Sequence, residues 1–259
     1  METPTSLPLL GGNSIPIVGF GTWQIHGRSA YDAVLTALEV GYRHIDTAAV
    51  YENEEEVGRA LRDSGLPRHE VFITTKLRPD RPGAERAIEA SLRRLGTDHV
   101  DLWLIHWPPR RGVGIELWRE IVRLSEEGLA TSVGVSNYES EQIDELIAGS
   151  GVVPAVNQVR WSPFVHDPAR LAHSRDRGVV LEGYSPFNAS RLGDPALVAI
   201  AADHGVTAAQ VVLRWHVDHG IVVIPKSTHR DRIATNFDIF GFSLDSEELA
   251  RLDHLSRAS

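Results

Sequence analysis

Short apolar runs rich in β-branched residues alternate along the chain with segments whose apolar positions recur every three or four residues. The apolar runs lie at 17–22, 42–46, 71–76, 100–106, 130–135, 155–158, 179–183 and 221–225. Between them the spacing predicts helices over 30–40, 54–64, 84–95, 116–127, 140–148 and 168–177, then a pair at 195–204 and 208–219. In 84–95, for example, Ala84, Ala87, Ile88, Leu92 and Leu95 mark one helical face. Gly41, Gly65, Gly96, Gly128, Gly178, Gly205 and Gly220 stand where these helices should stop. Eight strands, each followed by helix, imply a parallel sheet. At 259 residues, the closed solution is a single-domain (β/α)8 barrel. A hairpin over about 7–16, turning at Gly11-Gly12, precedes the barrel over about 17–256 and is placed to cap its bottom. A short helix over 246–255 ends the pattern.

Composition narrows the chemistry. With no cysteine, a disulfide scaffold, a thiolate metal site and a cysteine nucleophile are excluded. A net charge of −9 argues against nucleic acid or an acidic membrane surface as partner. No run is long enough to span a bilayer, and the first ten residues lack the pattern of a secretory signal. These features read as a cytoplasmic protein acting on a small molecule, and its size as a monomer. The twelve histidines show no metal-ligand spacing, so no metal is expected. The acidic run Glu52–Glu56 reads mostly as a solvated helix start.

Lys76 and Lys226 are the chain's two lysines, against 24 arginines. Both close apolar runs. Lysine is a compact point charge whose pKa moves on burial, which arginine does not offer. In a barrel the active site lies at the C-terminal ends of the strands. Alternation puts Asp46, Lys76 and His106 inward at the ends of the second, third and fourth strands, with Trp103 and Ile105 outward. Tyr51 follows Asp46 by five residues. Taken singly, each has an ordinary structural reading as cap, packing or satisfied interior group. Their convergence at one rim favours chemistry. Asp46 would hold Lys76, whose ammonium would lower the Tyr51 pKa. Tyr51 could then protonate a developing alkoxide while His106 bonds the same oxygen. The hydride must come from a cofactor. Lys226, Arg230 and Arg232 form a basic patch after the eighth strand, where barrels often bind phosphate. Tyr184 could stack on a flat ring. Gly19-Phe-Gly-Thr-Trp-Gln24 lacks the third glycine of a dinucleotide fingerprint.

The segment Gly41-Tyr-Arg-His-Ile-Asp-Thr-Ala-Ala-Val-Tyr-Glu-Asn-Glu-Glu-Glu-Val-Gly58 resembles the aldo-keto reductase family. So do Gly19-Phe-Gly-Thr-Trp23, Leu104-Ile-His-Trp-Pro108, Gly134-Val-Ser-Asn-Tyr138, Asn157-Gln158 and Ile224-Pro-Lys-Ser227, and the likeness is to its prokaryotic, 2,5-diketo-gluconate-reductase-like members. The resemblance implies the same barrel and an Asp46, Tyr51, Lys76, His106 tetrad with Tyr51 as proton donor. It also implies NADPH. Ser136, Asn137 and Gln158 would hold the carboxamide, Tyr184 would stack on the nicotinamide, and Thr22 and Asp46 would lie by its ribose. Ser185, Pro186, Phe187 and Asn188 would follow the pyrophosphate. Lys226, Ser227 and Arg232 would take the 2′-phosphate, and Asn236 the adenine. Trp23 and Trp107 would join Tyr51 and His106 around a carbonyl substrate. Two departures stand out: Thr235 where many relatives have Glu, and Arg160-Trp-Ser162 where relatives often have Glu-Tyr-His. Short segments after His106, after Tyr184 and at the C-terminus imply an open pocket and broad acceptance of aldehydes or dicarbonyls. Two other readings are a Schiff-base aldolase using Lys76 and a regulatory module that binds the cofactor without turnover.

Overall fold

The computed structural model describes residues 5–80, 83–188 and 190–258. An antiparallel hairpin, β1 (Ser6–Pro8) and β2 (Ser14–Pro16), opens the chain and turns through Gly11 and Gly12, both at positive φ. Eight parallel strands follow: β3 (Phe20–Gly21), β4 (His44–Asp46), β5 (Phe72–Leu77), β6 (Val100–Ile105), β7 (Ala130–Ser136), β8 (Val156–Arg160), β9 (Val180–Tyr184) and β10 (Val222–Ile224). They are ordered in sequence from β3 to β10. The first and last are joined by a parallel bridge between Val18 and Val223 and by bonds from Gly19 N to Val223 O (2.9 Å) and Gly21 N to Pro225 O (3.0 Å). The ring therefore closes as a (β/α)8 barrel. The first strand is shorter than the apolar run 17–22 suggests, because Gly19 and Gly21 press against the strand that closes the ring. A Cβ on Gly21 would lie 2.9 Å from the Ile224 carbonyl oxygen.

The outer layer is α1 (Gly27–Val40), α2 (Glu54–Asp63), α3 (Ala84–Leu95), α4 (Ile115–Glu126), α5 (Ser140–Ser150), α6 (Pro168–Asp176), α7 (Pro195–His204), α8 (Ala208–Asp218), α9 (Arg230–Phe237) and α10 (Ser246–Asp253). Helix α9 is absent from the sequence reading. Its apolar face is little more than Ile233 and Phe237, too little for a periodic signal. Among the described residues, no single helix is long and apolar enough to cross a membrane.

Strand alternation sorts the core into two shells. Trp103 and Ile105 pack outward with Ile88, Leu92 and Trp118 from α3 and α4. Leu102 and Leu104 point inward, with Phe72, Val156 and Val222, onto Leu9 and Ile15 of the hairpin. The hairpin thus plugs the N-terminal end, fastened where Asn13 donates to the Thr131 carbonyl (3.1 Å). The plug is apolar; above it the barrel interior turns polar, and that is where the site lies.

Candidate active site

Asp46, Lys76 and His106 meet at the C-terminal rim. Lys76 is fully buried. Its Nζ donates to both Asp46 oxygens (2.6 and 2.7 Å) and to the Thr47 carbonyl (3.0 Å), and lies 3.4 Å from the Tyr51 hydroxyl. Gln158 Nε2 donates to Asp46 Oδ2 (2.7 Å). The Tyr51 and His106 rings meet edge to face, centroids 5.6 Å apart, and His106 stacks on Trp107. The loop carrying Tyr51 is held by Asn53, whose amide donates to the carbonyls of Thr22 and Ile25. Behind it, buried Glu54 accepts from Thr75 (2.6 Å) and pairs with Arg94 (2.7 Å). Glu54 is therefore a buried anchor, the exception within a run that is otherwise mostly solvated.

Burial acts on all four groups, and it raises the Asp46 carboxyl against the opposing pull of Lys76 and Gln158. It would lower the Lys76 pKa, but Asp46, Tyr51 and Glu182 together outweigh this, Asp46 foremost, and hold Lys76 above its ordinary value, so the ammonium is retained. Burial pushes His106 down to about 2, with Lys76 adding to the effect, so the ring is neutral. Burial also raises Tyr51; Lys76 lowers it, as the sequence reading expects, without overcoming burial. In this geometry Tyr51 is a protonated acid whose anion is stabilised only by the ammonium beside it.

A cleft of about 550 Å³ opens over these groups. Its walls include Trp23, Tyr51, His106, Trp107, Ser136, Asn137, Gln158, Tyr184, Lys226 and the run Ser185, Pro186, Phe187 and Asn188. Tyr184 is fixed by a bond from its hydroxyl to Asn137 Oδ1 (2.8 Å), and Asn137 in turn donates to the His106 carbonyl (3.1 Å). Thr22 is not on the wall: it is buried and its hydroxyl donates to the Asp46 carbonyl (2.9 Å). Ser227, Arg232 and Asn236 follow Lys226 beyond the cleft wall, on the turn and helix α9. Lys226 and Arg232 are exposed and pair with no carboxylate among the described residues. Arg230 leaves the expected basic patch, because it pairs with Glu39 (2.7 Å). Thr235 returns its hydroxyl to the Asp231 carbonyl (2.8 Å). A stacking ring, a cluster of amide and hydroxyl groups and uncompensated cations at the far end suit an extended, phosphate-bearing nicotinamide cofactor. Among the described residues, no three His, Cys, Asp or Glu side chains gather as metal ligands.

Arg160 also lines the cleft, while Trp161 packs into the core and Ser162 opens a tight turn to Val165. Gln24 is a wall residue that sequence reasoning missed. Its signal is conformational: Gln24, Glu52, Asn137 and Ser185 are the non-glycine residues at positive φ among those described, and all follow barrel strands at this rim.

Residues 17–257 match the aldo/keto reductase family. An aldo-keto reductase of Mycolicibacterium smegmatis is 44% identical, over 96% of this chain and 92% of its own length. Methylglyoxal reductase DkgA of Escherichia coli K12 is 41% identical over 99% and 95% of the two chains. The crystal structure of a Bombyx mori aldo-keto reductase in complex with NADP superposes with a TM-score of 0.91 at 35% identity, covering 98% of this chain and 93% of that one. The family match, the identities and the barrel superposition run along nearly the whole sequence, and the chain belongs to the aldo/keto reductase family.

Proposed function

We propose that the protein reduces aldehydes or ketones to alcohols with NADPH, with Tyr51 as the proton donor. NADP(H) is the cofactor of this family, and the silkworm relative was solved with it. The observation that carries the reading is the packing of Asp46, Lys76 and Tyr51 against a neutral His106 at the floor of one cleft. When bound, the cofactor supplies the hydride. Ser136, Asn137 and Gln158 would hold its carboxamide and Tyr184 its ring face. Ser185 to Asn188 would follow the pyrophosphate, and Lys226, Ser227 and Arg232 the 2′-phosphate, with Asn236 at the adenine. The neutral His106 ring offers a hydrogen bond to the substrate oxygen. Tyr51 gives its proton to that oxygen as negative charge develops there, and the Lys76 ammonium steadies the phenolate left behind. Trp23 and Trp107, 45% and 47% exposed, flank an open mouth, which suits varied aldehydes and dicarbonyls.

Schiff-base chemistry is disfavoured: an attacking amine must be neutral and reachable, whereas Lys76 is fully buried and committed to Asp46 and Thr47. The test is titration with NADPH and NADH, followed by tryptophan quenching. The expected result is tight NADPH binding and much weaker NADH binding. Binding of neither would remove the basis for a reductase.

A further inference from the structure

Glu182 is a buried carboxyl of the polar interior that the chemistry above leaves unused. It points into the barrel from β9, two residues before Tyr184, and is fully buried. Neither carboxyl oxygen has a hydrogen-bond partner. Its neighbour in register on β8, Gln158, gives its close hydrogen bond to Asp46 (2.7 Å) and favours the Glu182 carboxylate less than burial disfavours it. Its neighbour on β10 is Val222, which offers nothing polar. From β4, His44 Nε2 stands 3.6 Å from Glu182 Oε1 but lies closer to Thr74 Oγ1 of β5, at 3.1 Å. On the outer side of β9, His216 has Nδ1 2.8 Å from the Val212 carbonyl oxygen and Nε2 3.2 Å from that of Trp161, and the neutral ring donates to one of them. The charges that act on Glu182 are therefore Asp46 and Lys76.

We propose that Glu182 is a positioning residue of the tetrad: its carboxyl, held uncharged in the barrel interior, leaves Asp46 as the sole negative charge acting on Lys76, and so leaves the Lys76 ammonium free to act on Tyr51. That Tyr51 is the acid rests on the function proposed above. Burial, reinforced by the nearby Asp46 carboxylate, pushes Glu182 up to about 8. Burial holds His44 down to about 3, so the imidazole cannot supply a compensating positive charge. An unbonded carboxylate in this interior is costly, whereas the protonated acid is tolerated. Once ionised, Glu182 becomes a second anion beside Lys76. It binds the ammonium's field, and the Tyr51 phenolate is then less stabilised.

The test is the ionisation of Tyr51 itself, read as ultraviolet tyrosinate absorbance in the full-length protein and in Glu182→Gln, each corrected with its Tyr51→Phe counterpart. At alkaline pH the wild type carries the Glu182 charge and the variant does not. Tyr51 is expected to ionise at lower pH in Glu182→Gln, by about half a pH unit or more. Coincident titrations would overturn the proposal. A merely structural Glu182 would alter stability without moving this titration. Infrared difference spectra of the wild type give a second arm that needs no Glu182 variant to fold for its pH dependence. A protonated carboxyl band should be present near about pH 6 and lost by about pH 10. Its absence at the lower pH would also overturn the proposal. Neither arm requires turnover, so a protein that failed to reduce carbonyls would sink the proposed function and leave these results readable.

Discussion

At the level of single residues, the site is governed by a cation that cannot leave. Lys76 has its ammonium donors directed at Asp46, Thr47 and Tyr51, with no exposure to solvent. Replacing it by methionine leaves Asp46 as a buried, unpaired carboxylate. Lys76→Met is therefore expected to lower stability by roughly 3–5 kcal/mol in chemical denaturation. Asp46→Asn together with Lys76→Met should recover a large part of that loss; strict additivity of the two would contradict the coupling. The convergence of Asp46, Lys76 and His106 was legible in the sequence because strand alternation fixes which side chains point inward at a rim, whereas Tyr51, on the turn after β4, was placed by its nearness to Asp46 and by the family resemblance. Glu54 was not legible. Nothing in a run of four acids and an asparagine tells which one faces Thr75 and Arg94. The direction of the Tyr51 shift was also out of reach, since it depends on how deeply the phenol is buried.

Elements carry the placement of those residues. Eight strands were readable from apolar runs, but β3 and β10 are short, because the closing seam uses glycines and a bridge more than a long ladder. Helix α9 escaped notice because its residues are mostly polar, and they are the ones assigned to phosphate and adenine. If Lys226 and Arg232 hold the 2′-phosphate, Lys226→Ala should raise the NADPH Michaelis constant at least about tenfold, consistent with loss of a charge-assisted contact, and leave that for NADH nearly unchanged. Equal effects on both would place the cation elsewhere. Packing between α2 and α3 makes a separate demand. A Cβ on Gly58 would sit 2.3 Å from the Leu95 carbonyl oxygen. Gly58→Ala is expected to cost about 1–3 kcal/mol in thermal or denaturant unfolding, despite the better helix propensity of alanine.

Over the whole molecule, the same burial that tunes the site sets the response to pH. His44, His106 and His216 are held by burial at about 3, 2 and 4, below the ordinary 6.5. Groups with depressed folded values contribute stability that is present above 6.5 and lost as pH falls through the folded value. His216 alone accounts for roughly 3 kcal/mol over that interval. The melting temperature should therefore fall steadily below about pH 6. His216→Asn should flatten part of that slope; an unchanged slope would show that the ring is not buried neutral. Glu182 works in the opposite sense. Its raised folded value gives stability that is present below its unfolded value near 4.5 and lost as pH rises to about 8. Barrel closure and hairpin plug were legible from length and periodicity. These buried neutral groups were not, because their shifts depend on which side chains meet once the ring has closed and the helices have packed on it.

If Tyr51 delivers the proton in an NADPH-dependent carbonyl reduction, its hydroxyl should matter to turnover and not to cofactor binding, which can be read by following NADPH consumption with methylglyoxal and a panel of aldehydes in wild type and Tyr51→Phe, alongside NADPH affinity by tryptophan quenching. Steady consumption by the wild type is expected, with a fall of about 10²–10⁴-fold in kcat for the variant and an NADPH Kd that is nearly unchanged. Turnover that survives loss of the hydroxyl, or a matching loss of cofactor binding, would contradict that role.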